Sequence, residues 1–300
     1  MKVVGVLIAY NPNIELLEKN INSYMSDLNK LIIVNNSSYS LEKKIKFSEE
    51  VSKKIEIINL FDNMGIAKAQ NIGMEKAYND GADYVLQLDQ DSIFEEKGVI
   101  NLLSSFESLL KNGIKVGILG PSIDNYSNYN KKTIKEKTIK EKRMIVIENR
   151  YYKKVKEIIS SGALISKEAY TKVGGVMEEL FIDYVDTEYC WRIKKMGFEV
   201  IQDLNVRLFH SIGNGKIKYK GKEYIVSAPV RNYYQTRNEL YLLKYQYVPL
   251  NWKRDAIKRI IRRVFLFKKI MPDGDLRKCY IIKGIKDFFS KKMGKIDSEF

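Results

Sequence analysis

Apolar residues in this chain fall into short unbroken runs, separated by stretches in which they recur at helical spacing. Val3 to Tyr10 is the first run, ended by Asn11-Pro12-Asn13, and Ile14, Leu16, Leu17, Ile21 and Tyr24 follow in a helical pattern. Leu31 to Val34 is the second run, closed by Asn35-Asn36-Ser37-Ser38, and Ile55 to Leu60 is the third. Asn63-Met64-Gly65 then opens a helix carrying Ala67, Ala69, Ile72, Ala77 and Tyr78 and closed by Gly81, before a fourth run, Asp83 to Leu88. Runs of this kind are strands covered on both faces, and the stretches between them are helices packed on those faces. Their alternation predicts an α/β protein with a doubly wound, mainly parallel, Rossmann-like sheet and helices on both faces.

Downstream, Gly98 to Asn112 reads as a helix and Val116 to Pro121 as a strand. The pattern weakens from Asn125 to Arg150, and the charged segment Lys131 to Arg143 reads as an exposed loop or hairpin. Ile158 to Ser166 resumes the apolar pattern, and Lys167 to Val173 is a short helix ended by Gly174-Gly175. Phe181 to Arg192 then leads into a helix closing at Gly197, with no internal repeat or low-complexity linker anywhere.

Composition narrows the class. A chain of 300 residues, 45% hydrophobic and 11% aromatic, has enough apolar surface for a real core rather than disorder. Cys190 and Cys279 lie far apart and fit no metal or redox spacing, so a reduced, cytoplasmic setting is expected. The N-terminus reads as a first strand rather than a signal peptide, and no run of apolar residues is long enough to span a membrane. The 52 Lys and Arg outweigh the 37 Asp and Glu, for a net charge of +15. Asn251 to Phe300 holds fifteen of the basic residues against six acidic ones, which points to an anionic partner for the tail, membrane or nucleic acid.

Three places could carry chemistry. The fourth strand runs straight into Asp89-Gln90-Asp91. Aspartate is a poor strand former, and ligands of open α/β sheets bind beyond the carboxyl ends of strands. Two hard-oxygen ligands there suit Mg²⁺ or Mn²⁺ bridging the phosphates of a nucleotide; the plainer alternative is a solvated turn. Asp183, Asp186 and Glu188 cluster at the start of the helix that runs to Met196. Capping explains Asp186 well, but carboxylates among Phe181, Ile182, Tyr184, Val185, Tyr189 and Trp191 also suit a general base with a raised pKa. His210, the only histidine, follows the apolar Val206 to Phe209 and is a third candidate metal ligand, against the commoner role of a packed or surface residue.

These elements, in this order, resemble the inverting nucleotide-sugar glycosyltransferases of family 2, which have the GT-A fold, and among them the bacterial rhamnosyltransferases of polysaccharide assembly. The likeness covers roughly residues 3 to 240. It is carried by Ala9-Tyr10-Asn11-Pro12, Ile33-Val34-Asn35-Asn36-Ser37, Asn63 to Gly73, Asp89-Gln90-Asp91, Ser161-Gly162, Phe181 to Arg192, His210-Ser211-Ile212-Gly213 and Arg231-Asn232-Tyr233-Tyr234.

The resemblance implies that Asp89, Asp91 and His210 hold Mn²⁺ or Mg²⁺ against the donor diphosphate, and that Asp186 is the general base. It implies a nucleotide-sugar site at Ala9, Tyr10, Asn11, Asn35, Asn63, Gly65, Lys68, Asp89, Gln90 and Asp91. Many members carry Asp where this chain has Asn35, whose amide oxygen can still accept from the N3–H of uracil or thymine. Asp183 and Glu188 would position the acceptor. Arg231, Tyr234, Arg237 and Asn238 would contact diphosphate or acceptor, or else form a basic helix face.

The expected organisation is a glycosyltransferase domain over 1–240 and a basic amphipathic helical region over 241–300. In the latter, Ile257, Ile260, Ile261, Val264, Phe265 and Phe267 share one stripe among Lys and Arg. That helix can lie in an anionic bilayer interface or pack on the core.

The expected activity is metal-dependent transfer of rhamnose from dTDP-rhamnose to a cell-surface polysaccharide or polyprenyl-diphosphate-linked glycan. The enzyme would be cytoplasmic and peripheral at the inner face of the membrane. A UDP-hexose donor and a non-catalytic basic membrane or nucleic-acid adaptor are the alternatives; the adaptor leaves Asp89, Asp91, Asp186 and His210 without a role. A nucleotidyltransferase should carry a glycine- and basic-rich phosphate loop where this chain has Ala9 to Pro12. No nucleic-acid partner is expected for the catalytic reading, and no oligomeric state follows from the sequence.

Overall fold

The computed structural model describes residues 1–125, 144–210 and 215–300. The charged excursion Lys131 to Arg143 and the segment Ser211-Ile212-Gly213 lie outside the described residues.

The chain begins with three strands and two helices in alternation: β1 (Val3–Ala9), α1 (Ile14–Asn22), β2 (Lys30–Asn35), α2 (Glu49–Ser52) and β3 (Ile55–Asn59). Then come α3 (Ile66–Asn79), β4 (Tyr84–Leu88), β5 (Ser92–Phe94), α4 (Gly98–Lys111) and β6 (Val116–Asn125). β7 (Met144–Ile147), β8 (Arg150–Lys154), β9 (Ala163–Ser166), α5 (Lys167–Val173), α6 (Val185–Lys195) and β10 (Glu199–His210) follow. A hairpin of β11 (Lys216–Tyr219) and β12 (Lys222–Ile225) precedes the C-terminal helices α7 (Arg231–Leu242), α8 (Leu250–Arg262), α9 (Lys268–Ile270) and α10 (Gly274–Phe289). A π-turn, Arg263–Phe267, joins α8 to α9.

The main sheet has the order β3-β2-β1-β4-β9-β6-β10-β8-β7, with β5 pairing on β10. Its first four neighbours are parallel, as are β6 and β10, whereas β9 runs antiparallel to both β4 and β6. The N-terminal strands are apolar throughout because both faces are covered. Val4, Val6 and Ile8 of β1 pack with α3 and α6, while Val3, Leu7 and Ala9 pack with α1 and α4. The fit on the α3 side is close: a Cβ on Gly73 would lie 2.3 Å from Val6 Cγ1.

In parallel register, Ala9, Asn35 and Asn59 close β1, β2 and β3 at one edge, with Leu88 ending β4 beside them. The loops that follow these strands therefore converge on that edge, which is where a ligand of such a sheet binds.

The C-terminal helices pack on this core. Trp252 of α8 meets Trp191 and Tyr184 edge to face, at centroid distances of 4.9 and 5.5 Å. Gly284 of α10 lies against the α7 backbone, where a Cβ would come 2.7 Å from the Tyr233 carbonyl. Among the described residues, no helix is long and apolar enough to cross a membrane.

Candidate functional site

Asp89 and Asp91 occupy the two-sided turn between β4 and β5. β5 pairs antiparallel with the end of β10, placing His210 opposite Ser92. That pairing carries a residue far along the chain to the strand-end carboxylates. His210 Nδ1 lies 3.5 Å from Asp89 Oδ2, 3.6 Å from Asp91 Oδ1 and 2.9 Å from Ser92 Oγ. One ligand atom from each of Asp89, Asp91 and His210 falls within 4.8 Å of the other two, a group able to hold a metal ion.

The residues fit a divalent cation on two further observations. Asp89 accepts a hydrogen bond from Ser161 Oγ at one oxygen, while its other oxygen, Oδ1, is buried with no hydrogen-bond partner. Burial, and then the neighbouring Asp89 charge, raise the Asp91 carboxyl above its ordinary range. A buried orphan oxygen and two mutually repelling carboxylates are both costly, and a shared cation relieves both. The two carboxylates suit Mn²⁺ or Mg²⁺, and an added imidazole donor is better matched to Mn²⁺ than to Mg²⁺.

Asp186 sits in the first turn of α6, partly buried. The Ser160 N–H donates to its Oδ2 at 3.1 Å. Consecutive residues thus hold the two acids, Ser160 on Asp186 and Ser161 on Asp89, which puts them on the same side of the sheet. Burial pushes the Asp186 carboxyl up to about 6, with the Asp89 and Asp183 charges adding to the rise and the Ser160 hydrogen bonds opposing it. A carboxylate of that basicity can take a proton near neutral pH.

The strand-end loops form one hydrogen-bonded rim. The Asn36 N–H donates to the Ala9 carbonyl (2.7 Å), the Asn11 N–H to Ser37 Oγ (2.8 Å), and the Tyr10 N–H to Gln90 Oε1 (2.7 Å). Asn63 Oδ1 accepts from Asn36 Nδ2 (3.0 Å) and from the Gly65 N–H (3.1 Å). Ala9, Tyr10, Asn11, Asn63, Gly65 and Gln90 are thereby brought together, with the Tyr10 ring exposed. Gly65 has φ 83°, and a Cβ there would strike the Phe181 ring at 2.5 Å, so only glycine lets the two loops meet. Lys68, on α3, is directed to Glu178 at 4.0 Å.

Five expected contacts are corrected by burial. Asn35 is fully buried; its amide donates to the Tyr39 carbonyl and to Asn59 Oδ1, and its oxygen accepts from the Ser37 N–H, so it shapes the loop rather than facing a base. Glu188 is fully buried in an ion pair with Arg192 and accepts from the Tyr247 hydroxyl at 2.6 Å, which leaves it nothing for an acceptor. Tyr234 is stacked on Phe181 at a centroid distance of 5.0 Å, and its hydroxyl accepts from the Ile296 N–H. Arg237 and Asn238 are buried; both donate to backbone carbonyls, and Arg237 donates also to Asn238 Oδ1 and the Tyr233 hydroxyl. Arg237 reaches Gly294, Glu179 and Leu180; Asn238 reaches Leu180, Ile182 and Asp183.

The reason for that clamp lies in the loop it holds. Phe181, Asp183 and Tyr184 all have positive φ, at 64°, 65° and 66°. Non-glycine residues in this region are strained, at a cost of order 1–3 kcal/mol each. The carbonyls of such a loop need donors: α7 supplies them to Leu180, Ile182 and Asp183, while the Ala67 and Glu188 N–H groups donate to Phe181 and Tyr184. Tyr184 is also tied by its hydroxyl, which donates to the buried Glu239 at 2.6 Å. Asp183 alone of this group pairs at the surface, with the partly exposed Arg231 (Nη2 to Oδ1 2.6 Å, Nε to Oδ2 2.7 Å).

Ser160, Ser92 and Glu239 went unread in the sequence. Ser160 could have been found from the Ser160-Ser161-Gly162 turn ahead of a buried strand; the others have no local signal.

The architecture is that of a glycosyltransferase of the GT-A fold, and comparison with known proteins gives the same class. The family model described as "Glycosyl transferase family 2" matches residues 6–174. The chain is 34% identical over 256 residues, 83% of its length and 82% of the relative's, to "dTDP-rhamnosyl transferase RfbF" of Shigella flexneri. The chain belongs to glycosyl transferase family 2.

Solved structures share the fold at low identity. S. aureus TarS 1-349 in complex with UDP-GlcNAc has a TM-score of 0.57 at 13% identity, covering 97% of this chain and 82% of that one. The mannosyltransferase PcManGT from Pyrobaculum calidifontis, in complex with GDP-Man and Mn²⁺, has a TM-score of 0.55 at 12% identity, covering 98% and 76%. In another structure of S. aureus TarS the match spans 49% of that chain, so this protein corresponds to about half of it.

Proposed function

We propose that this glycosyltransferase moves a rhamnosyl group from dTDP-rhamnose to a hydroxyl of a growing cell-surface polysaccharide or a polyprenyl-diphosphate-linked glycan, with inversion at the anomeric carbon. The donor is drawn from the name of the 34% identical relative. The single observation that carries the chemistry is that Ser160 and Ser161, consecutive in the chain, hold Asp186 and Asp89 side by side. One acid can face the acceptor hydroxyl while the other lies at the diphosphate.

In this reading the acceptor oxygen attacks the anomeric carbon as the bond from that carbon to the diphosphate oxygen breaks. The bonding pair leaves with dTDP, and the hydroxyl proton goes to Asp186. A basicity near 6 suits that transfer at cytoplasmic pH. Asp89, Asp91 and His210 would hold Mn²⁺ or Mg²⁺, which when bound supplies Lewis-acid stabilisation of the leaving diphosphate. The rim of Tyr10, Asn11, Asn63, Gly65 and Gln90 would receive the nucleoside, and the surface pair Asp183–Arg231 would orient the acceptor. Residues 241–300 would serve the same function by setting the enzyme at the cytoplasmic face of an anionic membrane, where a lipid-linked acceptor lies.

The test is dTDP release from dTDP-rhamnose set against UDP-glucose and UDP-GlcNAc, each with Mn²⁺. Turnover or a thermal shift with dTDP-rhamnose alone supports the assignment. A response confined to a UDP-sugar moves the donor to the UDP-hexose class, and no response to any nucleotide sugar overturns the reading.

A further inference from the structure

Helix α8 and the π-turn after it have two unlike sides. Inward, Ala256 and Phe267 are buried, and Arg259 and Arg263 both pair with the buried Glu239. Outward, Leu250 is 76% exposed, Ile257 47%, Ile261 53% and Phe265 74%. Steps of seven, four and four residues place these four side chains in one arc of a helix. Arg254, Lys258, Arg262, Lys268 and Lys269 are exposed along the same segment. From Leu250 to Ile270 the chain holds eight Lys and Arg and a single acid, Asp255. The stripe foreseen from the sequence is thus divided, with Phe267 in the core and Ile257, Ile261 and Phe265 in solvent.

We infer that this outward face is a docking surface for an anionic lipid bilayer. Large exposed aliphatic and aromatic side chains set among cations match the acyl boundary and the charged headgroups of such a surface together. A second copy of the chain would bring like charges against one another across a symmetric contact. A nucleic acid would engage the cations but leave the aliphatic row unburied. The inference deepens the membrane element of the proposed function, and the geometry adds a consequence. The helix that docks is the helix whose inner arginines grip Glu239, which accepts from Tyr184, two residues before Asp186. Docking would therefore fix the orientation of the catalytic loop relative to the lipid surface.

The experiment is co-sedimentation of the full chain with vesicles of phosphatidylcholine alone or mixed with phosphatidylglycerol, alongside dTDP release from dTDP-rhamnose in solution without vesicles. Wild type should bind only the mixed vesicles. Ile257→Ser/Ile261→Ser/Phe265→Ser should weaken that binding at least about a hundredfold, while its thermal midpoint and solution turnover stay at the wild-type level. Lys258→Ala, Arg262→Ala and Lys269→Ala should each weaken it about fivefold. Vesicle binding unchanged in the apolar triple variant overturns the inference, as does self-association or DNA binding without vesicle binding. Absence of turnover in every protein, with vesicle binding behaving as described, would sink the proposed reaction and leave the docking surface standing.

Discussion

Asp89-Gln90-Asp91 and Arg237-Asn238 are both polar groups that the resemblance assigns to substrate, and the fold treats them in opposite ways. The first group ends a parallel strand, at the edge where four loops converge, and one oxygen of Asp89 is left without a partner inside the protein. The second lies mid-helix in α7, fully buried, with its donors taken up inside the protein, chiefly by the carbonyls of Glu179, Leu180, Ile182, Asp183 and Gly294. The difference is one of accounting for backbone groups. A strand end has its carbonyls satisfied by the sheet, so its side chains are available to a ligand. A loop with three left-handed non-glycine residues has carbonyls that no ladder serves, and a neighbouring helix must spend its polar side chains on them. Unmet need marks the site; met need marks the scaffold.

Mutations can break or sharpen that contrast. The largest expected effect is from Asp186→Asn, which keeps the Ser160 contact but removes the base. We expect kcat to fall about a thousandfold with nucleotide affinity unchanged in a calorimetric titration. Loss of binding instead would place Asp186 on the donor side. Asp91→Asn should next lower turnover about a hundredfold and abolish its dependence on Mn²⁺, while chemical denaturation shows equal or greater stability, because one of two repelling carboxylates is gone.

Asn238→Ala should do the reverse. Three carbonyls lose their donor, so stability should drop by about 3 kcal/mol in a urea titration, with KM for the donor unaffected at temperatures where the protein stays folded. A selective rise in acceptor KM without a stability loss would restore Asn238 to the binding surface. The smallest effect is on pH. A base must be unprotonated to act, and burial raises Asp186 to about 6. The acid limb of kcat/KM should therefore lie near pH 6, activity falling as pH drops through it, rather than in the range of an exposed aspartate. That limb should vanish from the residual rate of Asp186→Asn.

The parallel half of the sheet was legible because strands covered on both faces read as unbroken apolar runs, as in Val3 to Ala9. The short antiparallel pieces were not: β5, β7 and β8 are only three to five residues long, and β5 and β8 carry mixed polarity. The insertion of β9 between β4 and β6 depends on pairing across most of a hundred residues, which no local pattern records. In the site, Asp89, Asp91 and Asp186 stood out as acids in apolar surroundings. The convergence of Asp89 and Asp91 with His210 rests on the pairing of Ser92 with the end of β10, a long-range fact. Asn35, Glu188, Tyr234, Arg237 and Asn238 misled because a polar residue that serves distant backbone or a buried ion pair looks, in sequence, like one that serves a ligand.

The central claim is that Asp89, Asp91 and His210 form a single divalent-cation site that works with the bound nucleotide. Its most direct test is a titration of Mn²⁺ followed by electron paramagnetic resonance, with and without dTDP, on wild type and on Asp89→Asn/Asp91→Asn. The account predicts one saturable ion per chain in wild type, bound more tightly when dTDP is present, and no such ion in the double variant. Equal Mn²⁺ binding by the two proteins, or binding indifferent to dTDP, would contradict it.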